Sequence, residues 1–220
     1  MTRRPEIYAS LDIEADGPTP LRNSMLSFGV ALFDIEMTLL DVFYRTLHPL
    51  PDAAEDAPTM EWWRGQPEAW AAATKDRIDP KAAISDYHAW LDGWTAKAKV
   101  VETAWPLKYD GAFMLAYEGA FGGRTPLGHS GICLRSIAMA LSGGEFRDCG
   151  KSSLDPALQA GGIPHDHVAL NDAVDQGVLG INLLRKARGL APAATIRNAC
   201  GWIPIGGSAP VGIPVPHPLR

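Results

Sequence analysis

Cysteine is scarce in this 220-residue chain, and the three present, Cys133, Cys149 and Cys200, are scattered with no C-x-x-C pair. An odd, scattered set supplies neither a disulfide framework nor a cysteine-based zinc module, and it fits a reducing compartment. Basic excess is also missing: 20 Lys and Arg stand against 25 Asp and Glu, for a formal charge of −5. Proteins that coat nucleic acid by charge alone are usually basic. The balance disfavours passive coating of DNA or RNA and leaves carboxylates clustered around metal ions open. No stretch supplies the ~18 consecutive apolar residues of a membrane helix. Acids interrupt the first apolar run, MTRRPEIYASLDIEAD, which makes it a poor secretion signal. No internal repeat is visible. The expectation is a soluble cytoplasmic protein with no membrane partner, and 46% hydrophobic residues suffice for a core without staples.

Apolar runs of strand length come first. Residues 6–13 (EIYASLDI), 24–33 (SMLSFGVALF) and 37–47 (MTLLDVFYRTL) read as three consecutive strands, the last two joined by a polar turn at Asp34-Ile35-Glu36. Helix signals follow. Thr59 is a candidate N-cap, Pro67 opens a second segment, and Asp79-Pro80 has the cap-then-proline order of a third. Residues 98–104 read as a fourth strand, and 111–121 and 134–141 as further helices. A long amphipathic helix spans 168–188, with basic residues in its last turns and Gly189 as its stop. The 31 residues from Leu190 onward hold six prolines and four glycines but only two charged side chains. They read as an irregular or extended arm. Trp202, Ile203, Ile205, Val211 and Ile213 make that arm too apolar for a comfortable free tail, so docking is open. The division is 1–189 as one domain and 190–220 as the arm. Strands, then helices, then a strand and more helices imply an α/β or α+β layered fold, with one mixed sheet carrying helices on its faces as the expected α/β architecture.

Three acidic sites stand out by their position. Asp12 and Glu14 end the first strand, and residues two apart on a strand share a face. A bare D-x-E is weak evidence, since Asp34 and Glu36 repeat the spacing in what reads as a solvated turn. The first pair differs because it closes a buried strand, where charge needs a reason. Asp110 follows the fourth strand, and a helix-capping acid is its plain structural reading. The third site is residues 165–172, HDHVALND, with His167 five residues before Asp172. It reads equally as a solvated helix start or as a site.

Taken in order, D-x-E, then D, then H-x-A-x-x-D resembles the DnaQ-like, or DEDDh, superfamily of 3′→5′ exonucleases. The likeness covers about residues 6–188 and is nearest to the small bacterial and phage members, in which an S-x-G strand (here SFGVALFD), a T-x-x-W-W segment (here TMEWW) and an A-L-x-D-A-x-x-Q ending (here ALNDAVDQ) accompany the acids. The resemblance implies a ribonuclease-H-like mixed sheet with helices on both faces. It implies that Asp12, Glu14, Asp110 and Asp172 hold two divalent ions, Mg²⁺ or Mn²⁺, and that His167 is the general base. The implied substrates are 3′ ends of single-stranded DNA or RNA, or short oligonucleotides. A homodimer is also compatible with it. The chain departs from the family pattern at Ala15, where a small hydroxyl residue is usual, at Tyr109, where Phe is common, and at Trp105. These departures bear on substrate preference.

The chemistry agrees with that resemblance. Phosphodiester hydrolysis needs a water nucleophile, neutralised phosphate and a stabilised leaving oxygen. Hard carboxylate ligands suit Mg²⁺ or Mn²⁺, and an imidazole titrating near neutrality suits proton removal. Ala15, Lys108, Trp62 and Trp63 are candidate substrate contacts. For the two tryptophans, packing a helix on the core competes with stacking on a base. Arg135 is a further phosphate candidate against a surface role. His165 reads as a loop or supporting residue, Asp175 as supporting, and a zinc site from Cys149, His165 and His167 fits no compact spacing. A non-catalytic binding module and a nucleotide phosphohydrolase are the alternative functions.

Overall fold

The computed structural model describes residues 4–159, 163 and 165–205. Val211, Ile213 and the rest of 206–220 lie outside the described residues, as does Pro164. Three strands come first, as expected: β1 (Glu6–Ala15), β2 (Met25–Phe33) and β3 (Thr38–Thr46). They form an antiparallel meander. Helices α1 (Ala57–Arg64), α2 (Pro67–Thr74) and α3 (Pro80–Thr95) lead to β4 (Lys99–Ala104), which pairs parallel to β1. Then come α4 (Leu107–Tyr117), the two-residue strand β5 (Ile132–Cys133), α5 (Leu134–Ser142), α6 (Ala169–Ala187) and the two-residue strand β6 (Arg197–Asn198). The sheet order is β5-β4-β1-β2-β3-β6.

The central strand β1 divides its side chains by its period of two. Ile7, Ala9, Leu11, Ile13 and Ala15 enter a core with α3 and α4. Tyr8 faces the other way, into a core with α6. Ser10, Asp12 and Glu14 share that second parity. Helices therefore cover both faces, and the acids of β1 lie on the α6 face, towards its amino end.

One sequence expectation changes. The cap of α1 is Asp56, whose Oδ2 accepts the Thr59 N–H at 3.1 Å and the Thr59 hydroxyl at 2.7 Å. Thr59 lies inside the helix because Asp56 and Pro58 start the turn earlier, as an acid followed by an early proline favours. Asp79 does cap α3, accepting from Lys81 and Ala82. Asp34 and Glu36 do form a turn, with Asp34 Oδ1 accepting the Glu36 and Thr38 amides. The arm from Leu190 onward carries β6, and Ile196 and Trp202 are buried in the α6-face core.

Candidate active site

Three close approaches build the site. The first is at Gly29, the cross-strand partner of Asp12. A Cβ there would lie 2.4–2.6 Å from backbone atoms of Ala169 and Leu170. Only a glycine lets the first turn of α6 rest on β2 this closely, and the small Ala169 matches it. The second is Gln176, fully buried on α6. Its side chain donates to the Leu11 carbonyl of β1 and accepts the Trp105 N–H at 3.1 Å, tying α6 to the ends of β1 and β4. The third is α4. Its Phe113, Met114 and Tyr117 are buried, and the Tyr117 hydroxyl accepts the Met25 N–H at 2.7 Å.

These contacts gather the acids from three elements. Carboxylate oxygens of Asp12, Glu14 and Asp172 lie within 4.8 Å of one another. Asp110 sits in the first turn of α4, buried, and does not cap that helix, which starts after Pro106 without a side-chain cap. One Asp110 oxygen accepts the Ile13 N–H at 3.4 Å; Oδ2 is buried without a partner. An orphaned carboxylate oxygen among other carboxylates is costly unless a cation joins it. Burial, and then the neighbouring acids, push the Asp12 and Glu14 carboxyls well up, and burial raises Asp110 to about 7. The donor set is all oxygen and anionic, so the residues fit a hard divalent cation.

The histidine segment lies beside the acids. His165, His167 and Asp172 place ligand atoms within 4.8 Å of one another. His165 Nδ1 donates to Asp172 Oδ2 at 2.9 Å, and this bond raises the His165 pKa. His167 has a left-handed backbone, φ 58°, uncommon outside glycine. Burial and the nearby His165 lower its pKa. Its ring packs edge-on against Trp62, with centroids 4.8 Å apart.

The tryptophans divide the two roles. Trp63 is buried with Leu26, Ala69 and Ala73, and its indole donates to the Ala15 carbonyl at 2.9 Å. Trp62 is 42% exposed beside His167. Ala15 itself is buried in the α3/α4 core. Lys108 and Tyr109 are exposed at the start of α4. Arg135 donates to the Phe146 and Arg147 carbonyls, so its guanidinium braces that loop. Cys149 lies by the Ser142 hydroxyl, 3.4 Å away.

Sequence reasoning passed over three residues. Lys151 stands 3.6 Å from Asp175, one turn beyond Asp172, and its charge reaches Asp12, Asp110 and both histidines. No sequence motif marks a lysine in that long loop. Gly29 carried a signal, since glycine inside a strand often marks close backbone approach. Asn171 is fully buried and holds three hydrogen bonds; a polar residue beside a candidate ligand gives no such hint.

No family model and no curated protein matches the chain. Solved structures of similar fold include the nuclease domain of 3′hExo, a DEDDh family member, bound to rAMP. It is 11% identical, with 85% of this chain and 94% of that chain covered and a TM-score of 0.62. The Mg²⁺- and Mn²⁺-bound form of S. pombe Pop2p is 17% identical, with 84% of each chain covered and a TM-score of 0.57. The zinc-bound E. coli ExoI–ssDNA complex is 13% identical, with 85% of this chain and 41% of that chain covered and a TM-score of 0.55. The chain therefore has the ribonuclease-H-like fold of the DEDDh 3′-exonucleases. Among the described residues, no helix is long and apolar enough to cross a membrane.

Proposed function

We propose that the chain is a metal-dependent 3′→5′ exonuclease acting on single-stranded nucleic acid or short oligonucleotides. The observation that carries this reading is the convergence of Asp12, Glu14 and Asp172 within 4.8 Å, beside the orphaned Asp110 Oδ2, on that fold.

Asp12, Glu14, Asp110 and Asp172 would hold divalent ions, Mg²⁺ or Mn²⁺. Bound there, such ions neutralise the phosphate and make water more acidic. The chain's own groups supply the rest. His167, whose pKa burial holds below the ordinary imidazole value, is neutral near pH 7 and accepts a proton from the attacking water. His165 orients Asp172 through its 2.9 Å bond. Lys151 meets the phosphate backbone, and the exposed face of Trp62 stacks on a terminal base.

Incubation with 5′-labelled single-stranded RNA, single-stranded DNA and a free nucleoside triphosphate, with and without Mg²⁺, tests the reading. The expected result is a Mg²⁺-dependent ladder shortening from the 3′ end. Hydrolysis of the free nucleotide alone would replace this reading with a nucleotide phosphohydrolase, and no cleavage of any substrate would leave a binding module.

A further inference from the structure

Helix α6 carries two buried asparagines, Asn171 and Asn182, and each grips both peptide groups of one residue in the C-terminal segment. Asn182 Oδ1 accepts the Ala193 N–H at 2.8 Å while its Nδ2 donates to the Ala193 carbonyl at 3.2 Å. Asn171 Oδ1 accepts the Ile205 N–H at 3.0 Å while its Nδ2 donates to the Ile205 carbonyl at 3.0 Å. Eleven residues make close to three helical turns, so both amides lie on one face. The segment consequently runs antiparallel along α6, away from Ala193 and towards the carboxylates. Between the two clamps it is fixed by β6 pairing with β3, by the Asn198 side chain holding the Trp202 peptide groups, and by burial of Ile196 and Trp202.

The clamps differ in one respect. Asn182 otherwise touches the Leu158 carbonyl. Asn171 Nδ2 also donates to Asp166 Oδ2 at 2.9 Å. Asp166 stands between the two histidines. Its N–H donates to Asp172 Oδ1 at 3.2 Å, and its Oδ1 accepts the Val168 N–H at 3.2 Å. One amide group thus joins the C-terminal segment to the turn that holds His167 in its left-handed conformation.

We propose that Asn171 is a positioning residue: by gripping Ile205 and Asp166 together, it makes the segment 196–205 a structural part of the histidine turn. A lone tail clamp explains Asn182 fully and leaves the bond to Asp166 unexplained. The effect on catalysis rests on the proposed role of His167; the mechanical link does not.

Two readouts separate these. Amide hydrogen exchange at Asp166 and Val168 reports the turn with no need for activity. Steady-state cleavage of a short labelled oligonucleotide at saturating Mg²⁺ gives kcat and KM. Asn171→Asp keeps the acceptor for Ile205 but sets a carboxylate against Asp166. Ile205→Pro removes the N–H from the other side and leaves α6 and the histidine turn unaltered in sequence. Both should speed exchange and lower kcat by about tenfold, the scale of a lost buried hydrogen bond, with little change in KM or in Mg²⁺ dependence. Adding Asp166→Asn to Asn171→Asp restores a donor–acceptor pair and should recover much of both. Asn182→Ala should lower the melting temperature while leaving exchange in the turn and kcat as in the wild type. Unchanged exchange in both Ile205→Pro and folded Asn171→Asp would overturn the proposal, as would an equal effect of Asn182→Ala on the turn. A wild-type protein that cleaves nothing would sink the exonuclease reading instead, and the exchange measurements would still decide the link.

Discussion

His165 and His167 stand two residues apart, yet their surroundings drive them in opposite directions. The bond to Asp172 favours the charged form of His165, while burial and His165 disfavour charge on His167. A base must be neutral before it can act, so His167 suits the task and His165 suits orientation. His167→Ala should lower the single-turnover rate by ~10²–10⁴-fold, with Mg²⁺ binding largely kept, and His165→Ala should change it only modestly. A large loss at His165 with near-normal His167→Ala would reverse the two roles. The acids can also be told apart. Asp12 is raised by burial and three neighbouring acids, so Asp12→Ala relieves repulsion as well as removing a proposed metal ligand. Asp172 accepts from both His165 and the Asp166 amide, so its loss orphans two donors. Both alanine variants should be inactive with Mg²⁺. In chelator, Asp12→Ala should melt at or above the wild-type temperature and Asp172→Ala below it, as scanning calorimetry would show. Full activity of either variant would remove these residues from the site.

At the scale of elements, the approach of α6 to β2 decides whether the carboxylates meet. Gly29 pairs with Asp12 across the sheet and lies under Ala169 and Leu170. Gly29→Ala places a methyl group against backbone, which cannot turn aside as a flexible side chain can. It should cost about 1–3 kcal/mol, the usual scale of overpacking, and cut activity sharply by lifting Asp172 from Asp12. Denaturant unfolding and a nuclease assay check both, and a stable, fully active variant would show that the helix has slack. Much of this arrangement was legible beforehand. The strand period put Asp12 and Glu14 on one face, and the length and amphipathicity of α6 marked it clearly. The pairs Ile132–Cys133 and Arg197–Asn198 were not legible as strands, since two residues carry no period and gain their conformation from β4 and β3. The cap of α1 is Asp56 because Pro58 lets the helix start one turn before Thr59. Lys151 and Asn171 stayed hidden for another reason: their partners lie far off in sequence or on the arm, and only packing brings them together.

Across the whole molecule, metal and pH should act together. In the folded protein the carboxyls of Asp110 and Glu102 titrate at about 7 and that of Glu118 at about 8, each raised first by burial. In the unfolded chain these groups ionise near pH 4. The folded state therefore holds protons that the unfolded state has released, and the stability this gives is lost as pH rises through the folded values. His88 and His167, held down by burial, act in the opposite sense only below about pH 6.5. Between pH 6.5 and 8 the melting temperature in chelator should fall by several degrees. Mg²⁺ should flatten the part due to Asp110 and leave the part due to Glu102 and Glu118; a flat profile in chelator would contradict the burial of these carboxyls. The placement of the acids also has a consequence for synthesis. Asp12 is made well before Asp172, which lies in the first turn of α6, and the rest of that long helix follows. At ~5–20 residues per second the interval is about 10–30 s. Throughout it the nascent chain lacks part of the acidic cluster. A chain cut short anywhere before residue 172 lacks the acid that α6 brings against Asp12 and Glu14.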